Sequence, residues 1–331
     1  MKRVKRLFAC LLALTMMLGL SATAFATETA EKVQTPANGG TVTFEKEYKL
    51  IGAGTSPAEK FKFNIVDAGV ENGGVDAGKQ GMPTVGTADY DANGATTTGA
   101  KEAVTVTLPT YTSVGVYSYT ITETTGTTAG VAYDSKSVTM KVTVVNNNNG
   151  GFEIAAVSFT KDGKKLANNE AAFNNTYTAN KLSISKTVAG NLGDKSKYFD
   201  FTVTLTGKEG ETYTLPATIT GGSDGSGKEE NVAISGTTTF KLKHGDTITI
   251  ENLPEGVSYK VEEATPSDYT MNATGQEGTM DAEAKTAAFT NTKTGDIDTG
   301  VYLDNLPYIL VFAGVLAIAA VFIVRRRRFE D

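Results

Sequence analysis

Two sets of Lys, Glu and Asn residues have types and spacing that could form a covalent bond within the chain. In each set a lysine ends a strand-like run, a glutamate ends a later run, and an asparagine closes a Phe-x-Asn motif. The lysine-to-glutamate separation is 77 residues in both sets. The sets are Lys46, Glu123 and Asn175, then Lys186, Glu263 and Asn291. Their repeated order indicates an internal duplication.

The bond that these residue types permit is an amide between lysine and asparagine. A strand lysine flanked by apolar residues can point into a core, where burial lowers its pKa and raises that of a neighbouring carboxyl group. The neutral amine is a nucleophile, and we expect the protonated glutamate to donate to the asparagine carbonyl and relay protons. One fold supplies the proximity. Loss of ammonia would leave a Lys–Asn isopeptide bond.

Adjacent residues leave alternatives within these sets. Asn174 adjoins Asn175 and Glu262 adjoins Glu263, and neighbours on a strand face opposite ways, so one of each pair points inward. The matching Phe-x-Asn motifs and the equal spacing favour Asn175 and Glu263. The competing interpretation is that all of these are ordinary exposed strand residues.

The elements that must position these residues are β-strands. Runs such as 41–51, 116–123 and 181–188 alternate apolar with polar residues, and paired phenylalanines recur at 61–63 and 199–201. This period is typical of half-buried strands. No long stretch before the C-terminal apolar run has clean helical periodicity. The sequence therefore predicts an all-β protein.

Scarce residue types exclude most catalytic and metal chemistry. The 331 residues include one cysteine, Cys10, and one histidine, His244. No zinc site of Cys and His ligands can be built, and a Ser-His-Asp triad would need His244, which we predict to be an exposed turn residue. No proper phosphate-binding or dinucleotide-binding motif is present. We predict no cofactor, no metal and no enzyme activity beyond a reaction of the chain on itself.

Both ends of the chain are predicted to be targeting segments. Residues 1–26 have a basic start, an apolar run and an Ala-x-Ala site, as in a secretory signal peptide; the alternative is a retained anchor. Its removal would leave an exported chain without cysteine and hence without disulfides. Residues 306–324 are uncharged and long enough to span a membrane, and the arginines at 325–328 would hold that end in the cytoplasm.

The segment before this apolar run resembles the sorting signal of Gram-positive surface proteins. It reads DIDTG at 296–300, with an Asp-Ile pair in place of the usual Leu-Pro. Sortase, a cysteine transpeptidase, would cut between Thr299 and Gly300; the alternative is a plain membrane anchor. The intervening residues 27–299 contain 23 basic and 34 acidic residues, which disfavours nucleic acid as a partner.

Taken together, the duplicated sets, the Phe-x-Asn strands and the C-terminal tail resemble the intramolecular isopeptide domains of Gram-positive pilins. The similarity extends to streptococcal backbone pilins with two tandem immunoglobulin-like (CnaB-type) β-sandwich domains. The bonds that the resemblance implies are Lys46–Asn175 assisted by Glu123, and Lys186–Asn291 assisted by Glu263. An isopeptide bond would constrain the unfolded chain as a disulfide does.

The resemblance also implies a polymerisation site. In such pilins sortase joins the C-terminal Thr of one subunit to a lysine of the next, so Thr299 would be the acyl donor. The acceptor would be Lys165, with Lys164 and Lys161 as alternatives in the segment TKDGKK; the competing interpretation is a solvated basic turn. The implied partners are sortase and other copies of the chain. Accessory pilins, peptidoglycan and host surface ligands are further candidates.

The expected organisation has four segments: signal peptide 1–26, modules 27–179 and 180–295, and sorting signal 296–331. We predict an exported, wall-anchored shaft subunit of a pilus, retained transiently in the membrane by its C-terminal helix. The alternative is a wall-anchored surface adhesin, or a basal or minor pilin, of the same fold. A tethered secreted enzyme is disfavoured because no catalytic constellation is present.

Overall fold

Most of the regular secondary structure is β-strand in the computed structural model, which describes residues 32–214, 216–223, 227–296 and 306–327. The predicted all-β class is confirmed. The signal peptide predicted at 1–26 lies outside the described residues.

The first half of the chain forms strands in which inward apolar residues alternate with outward polar ones, and one turn of 3₁₀ helix lies at Ala77–Lys79. The strands are β1 (Val33–Gln34), β2 (Thr41–Gly52), β3 (Glu59–Phe61), β4 (Phe63–Glu71), β5 (Thr84–Val85), β6 (Ala88–Tyr90), β7 (Ala100–Thr107), β8 (Gly115–Glu123), β9 (Val131–Ala132), β10 (Val138–Asn146), β11 (Phe152–Lys161) and β12 (Lys164–Lys165).

The second half continues with the same alternation. Its strands are β13 (Ala171–Ala189), β14 (Phe199–Thr206), β15 (Ala217–Gly221), β16 (Gly227–Val232), β17 (Gly236–Leu242), β18 (Thr247–Pro254), β19 (Ser258–Ala264), β20 (Thr270–Thr274), β21 (Glu277–Thr279) and β22 (Lys285–Thr292).

Each half is a sandwich of two sheets. In the first module, a sheet of order β1–β11–β10–β8–β4, with β12 beside β11, faces the sheet that contains β13, β2, β7 and β5. In the second module, the sheet with strand order β17–β14–β19–β21 faces the sheet that contains β16, β15, β18, β13, β22 and β20. Rings from opposite sheets meet between them, as Phe44 meets Phe63 with centroids 5.2 Å apart. This matches the predicted pair of β-sandwiches.

Strand β13 belongs to both modules. Its first part runs parallel to β2, and its part from Leu182 onward runs parallel to β22. The buried core of the first module extends to Ala179 on this strand, and the core of the second begins at Leu182. The predicted boundary between residues 179 and 180 thus falls inside one continuous strand, where the sequence had indicated two.

The C-terminal part of the described chain is a helix, α1 (Leu306–Arg327), over the residues predicted as the membrane span. The described part of the chain contains no helix with the length and apolar character that a membrane crossing requires. The membrane span remains a prediction from sequence.

Candidate functional site

In the first module, strand pairing places the lysine and the asparagine on one face of a sheet. Lys46 on β2 lies opposite Phe173 on β13, and Tyr48 lies opposite Asn175. Because side chains two residues apart share a face, Lys46 and Asn175 both point into the sandwich. Both are buried, with exposures of 0% and 1%.

The second module repeats this register on its own pair of parallel strands. Lys186 on β13 lies opposite Phe289 on β22, and Val188 lies opposite Asn291. The lysine therefore faces the phenylalanine of a Phe-x-Asn motif in both modules. Strand β13 supplies the asparagine of the first module and the lysine of the second.

The glutamates come from the facing sheets, again in matching register. Glu123 on β8 lies opposite Phe63 on β4, and Glu263 on β19 lies opposite Phe201 on β14. Each glutamate is thus paired with the second phenylalanine of a Phe-x-Phe strand. The duplication read from the sequence is reproduced in both layers of the sandwich.

The three side chains of each set are in contact. Lys46 Nζ lies 2.7 Å from Glu123 Oε2, and the Asn175 amide nitrogen donates to Glu123 Oε1. The structure therefore brings the first predicted set together at one point of the core.

The second set has the same arrangement. Lys186 Nζ lies 2.7 Å from Glu263 Oε2, and the Asn291 amide nitrogen donates to Glu263 Oε1. The adjacent alternatives point outward, since Asn174 and Glu262 are exposed.

Burial is the main influence on the charges of these clusters. The side chains of both Lys–Glu pairs are fully buried. Desolvation lowers the pKa of Lys46 to about 8, although Glu123 opposes the shift, and it raises the pKa of Glu123. Desolvation also lowers the pKa of Lys186, against the opposing effect of Glu263. A buried ammonium–carboxylate pair is therefore biased toward its neutral form, as the proposed chemistry needs.

An aromatic ring lies over the amine of each lysine. Lys46 Nζ lies 4.4 Å from the ring centroid of Phe61, and Lys186 Nζ lies 4.3 Å from that of Phe199. These rings exclude water while contacting the cation through their faces. The sequence showed the Phe-x-Phe strands as part of the repeat but did not assign them this contact.

The asparagine carbonyl is where the structure differs from expectation. Both glutamates contact the amide nitrogen instead of the carbonyl oxygen. In the first module the Asn175 Oδ1 accepts a hydrogen bond from the Asp134 backbone N–H at 2.9 Å. In the second, the buried Asn291 Oδ1 has no hydrogen-bond partner in the described part of the chain. A main-chain donor has no side-chain signature, so sequence analysis missed it.

The candidate acceptor lysines have different surroundings. Lys164 and Lys165 are exposed on β12. Lys161 is largely buried: its Nζ lies 2.6 Å from Asp134 Oδ2 and donates to the Ala172 carbonyl at 2.7 Å. The predicted sortase residues Thr299 and Gly300 lie outside the described residues.

His244 is not the exposed turn residue that the sequence suggested. It is partly buried, and its Nδ1 accepts a hydrogen bond from the Val188 backbone N–H at 3.0 Å. Its role in the structure is to tie a turn to β13. Among the described residues, no group of three or more His, Cys, Asp or Glu side chains could hold a metal ion.

The fold defines a protein of two tandem immunoglobulin-like β-sandwich modules, each with a buried Lys–Glu–Asn cluster. Residues 42–178 match the family described as a Spy0128-like isopeptide containing domain, and residues 180–293 match a domain of unknown function, DUF7601. A pilin from Streptococcus pyogenes serotype M1 is 30% identical over 346 aligned positions, covering 94% of this chain and 98% of the relative. The chain belongs to the pilins of Gram-positive bacteria.

Two further similarities extend this assignment. The crystal structure of the major pilin from Streptococcus pyogenes matches with a TM-score of 0.53 and 25% identity, covering 78% of this chain and 100% of that one. The pilus tip adhesin Cpa of Streptococcus pyogenes is 33% identical over 131 residues, 38% of this chain and 18% of that protein. The protein is accordingly a structural pilus component and not a catalytic enzyme.

Proposed function

We propose that this pilin is a shaft subunit whose two modules are each locked by an isopeptide bond and whose copies are joined end to end by sortase. The observation that carries the first part is the pair of buried Lys–Glu–Asn clusters in identical register. An ion pair with a purely structural role does not require a buried asparagine amide in contact with the same carboxylate, whereas the isopeptide reaction does.

The proposed reaction is a proton-coupled exchange of amines. Glu123 takes a proton from the Lys46 ammonium, and the freed electron pair of Nζ attacks Cγ of Asn175. Glu123 then gives a proton to Nδ2 and accepts one from Nζ. The Cγ–Nδ2 bond breaks, ammonia leaves, and a Lys–Asn amide remains beside a protonated Glu123. The contact between the glutamate and Nδ2 supports its role toward the leaving group.

The second module would react by the same steps. Lys186 is the nucleophile, Glu263 the proton relay and Asn291 the acceptor of the new bond. Its closed loop and that of the first module each span more than 100 residues. By analogy with disulfides, each bond would stabilise the fold by about 4–5 kcal/mol through constraint of the unfolded chain.

For polymerisation, the exposure of β12 supports an acceptor at Lys165 or Lys164, and the buried ion pair of Lys161 argues against the third candidate. Thr299 would be the acyl donor. A tensile force applied between Lys165 and Thr299 would be transmitted along the backbone into β13. It would then pass through the isopeptide bond from Lys186 to Asn291. The Lys186–Asn291 bond would therefore bear the force in place of the residues between Lys186 and Asn291. The Lys46–Asn175 bond would hold β2 against β13.

The alternative of a surface adhesin, or a basal or minor pilin, has support in the partial similarity to a pilus tip adhesin. Immunoblots of wall extracts separate the two functions. A shaft subunit gives a ladder of high-mass polymers; one discrete band would instead support the alternative.

The acceptor is tested in the same blot with matched lysine variants. We expect Lys165→Ala to abolish the ladder and Lys164→Ala to leave it intact. A ladder that survives Lys165→Ala would overturn the assignment of the acceptor while leaving the shaft function in place.

A further inference from the structure

We propose that Asp134 and Lys161 form a positioning pair that holds a carbonyl-polarising backbone amide against Asn175. The inference rests on the isopeptide chemistry proposed above and adds residues that the Lys–Glu–Asn set does not contain. It concerns the loop that follows β9, where the chain leaves β13 after the pairing of Ala132 with Thr176.

The first observation is the hydrogen bond to the reacting carbonyl. The Asp134 N–H donates to Asn175 Oδ1 at 2.9 Å, on the opposite end of the amide from Glu123. Attack by Lys46 pushes the carbonyl electron pair onto this oxygen. A donor already aimed at the developing charge stabilises the transition state more than the ground state.

The second observation is how firmly the loop is held. Asp134 Oδ2 lies 2.6 Å from Lys161 Nζ and accepts from the Asn174 N–H at 3.0 Å, while Lys161 also donates to the Ala172 carbonyl. The Asp134 carboxylate and the Lys161 ammonium thus fasten the loop to β13 immediately before Asn175. Their side chains are only 9% and 12% exposed, so solvent screens the pair weakly.

The charge of Asp134 is maintained despite this burial. Desolvation works against ionisation, but hydrogen bonds from Lys161 and from the backbone amides of Asn174 and Lys136 outweigh it and lower the pKa. A buried ion pair is weak evidence for stability alone. Because the Asp134 carboxylate also accepts from the backbone amide of Asn174, which adjoins the reacting Asn175, the pair has a positioning role.

The second module shows the site without such a backbone donor and positioning pair. There β20 pairs with β22, Met271 lies opposite Asn291, and Asn291 Oδ1 lacks a hydrogen-bond partner among the described residues. The two sites therefore share the nucleophile, the relay and the leaving group but differ at the carbonyl oxygen. We expect the Lys46–Asn175 bond to form faster than the Lys186–Asn291 bond.

The test follows both bonds during refolding of the chain 27–299, which contains both cores. The chain is unfolded in denaturant before either bond forms, diluted into buffer and quenched with acid at intervals, and each crosslinked peptide is quantified by mass spectrometry. The second bond is an internal reference for folding. The variants are Lys161→Met, its rescue Lys161→Arg, and Asp134→Asn, which keeps an acceptor for the Asn174 amide.

A matched control is Lys136→Met, since Lys136 lies on the same loop but pairs with Asp162 at an exposed position. We expect Lys161→Met and Asp134→Asn to slow the first bond by about tenfold, less than the ~10²–10³ seen when an oxyanion donor is removed outright. The second bond should keep its rate, Lys161→Arg should restore the first to within about twofold, and Lys136→Met should change neither.

Either of two results would overturn the inference alone: an unchanged rate of the first bond in both charge-removing variants, or equal slowing of both bonds, which indicates a folding effect. If Lys161→Met does not refold, Asp134→Asn decides by the same criterion. Absence of both bonds from the unsubstituted chain is a different result, because it overturns the proposed isopeptide chemistry itself.

Discussion

The two modules place the same three side chains in the same register, yet they surround the asparagine carbonyl differently. In both, the lysine lies opposite the phenylalanine of a Phe-x-Asn motif. In the first module a backbone amide donates to Asn175 Oδ1, whereas Asn291 Oδ1 lacks any such donor in the described chain. Strand register positions the nucleophile and the relay, and a neighbouring loop determines the electrophile's environment.

The cause of this difference is the strand beside each asparagine. In the first module β9 has only two residues, so the chain turns away and frees the Asp134 N–H for the Asn175 side chain. In the second module β20 remains paired with β22 through Asn291 itself. A ladder strand already uses its backbone groups, and so it has fewer donors for a side chain.

The largest expected effect is the loss of either crosslink. Asn175→Ala and Asn291→Ala each remove one electrophile while leaving the Lys–Glu pair in place. Since both closed loops exceed 100 residues, we expect each variant to lose about 4–5 kcal/mol of unfolding free energy relative to the bonded chain. Denaturant unfolding followed by tyrosine fluorescence measures this.

Asn174→Ala is the control for the first of these variants, because Asn174 is exposed beside Asn175. It should keep both bonds and nearly all of the stability. If only one of the two variants Asn175→Ala and Asn291→Ala lost unfolding free energy, the two crosslinks would not be equivalent in the folded protein.

The next effect is on the pH dependence of bond formation. Between the pKa values of Glu123 and Lys46, the reactive pair would hold a single ionisable proton. Above the Lys46 pKa of about 8, the pair has no proton for the leaving nitrogen; below the raised pKa of Glu123, the lysine is no longer a nucleophile. The first bond should therefore form with a bell-shaped pH–rate profile whose upper limb falls near pH 8.

Refolding at a series of pH values, with each crosslinked peptide quantified, gives this profile for both modules together. The pKa of Lys186 is also lowered by burial, so the second profile should turn down below the ordinary lysine range. A rate that keeps rising into strongly alkaline solution would contradict the role of a shared proton.

The smallest effect concerns the rings that cover the lysines. Phe61→Leu and Phe199→Leu keep apolar bulk but remove the ring face, 4.4 and 4.3 Å from Nζ. Measured in Asn175→Ala and Asn291→Ala backgrounds respectively, each should cost about 1–2 kcal/mol of unfolding free energy. Equal losses of unfolding free energy in the two variants would show that the ring contacts contribute equally in the two modules. Phe240→Leu, whose ring stacks on Phe201, is the comparison for a ring that does not directly cover the lysine.

Much of this architecture could be predicted because its determinants repeat along the sequence. Alternating strands have a period of two, so Lys46 and its flanking apolar residues already indicated an inward face. The duplicated spacing then selected Asn175 and Glu263 from their neighbours, and the structure places both in the clusters.

Other features depend on the three-dimensional arrangement and have no local signal. Strand β13 was read as two strands, because alternation does not reveal that one strand changes its parallel partner from β2 to β22. The donor to Asn175 is a backbone amide, which every non-proline residue possesses. The hydrogen bond to His244 likewise depends on a turn packing against Val188.

The most direct test of the central proposal is the intact mass of residues 27–299, the part of the chain between the predicted signal peptide and the predicted sortase site. Two Lys–Asn bonds require a mass lower than the sequence mass by two molecules of ammonia, with one lost on bond formation in each module. Peptide mapping should place the bonds at Lys46–Asn175 and Lys186–Asn291. A folded chain with the full sequence mass would contradict the account.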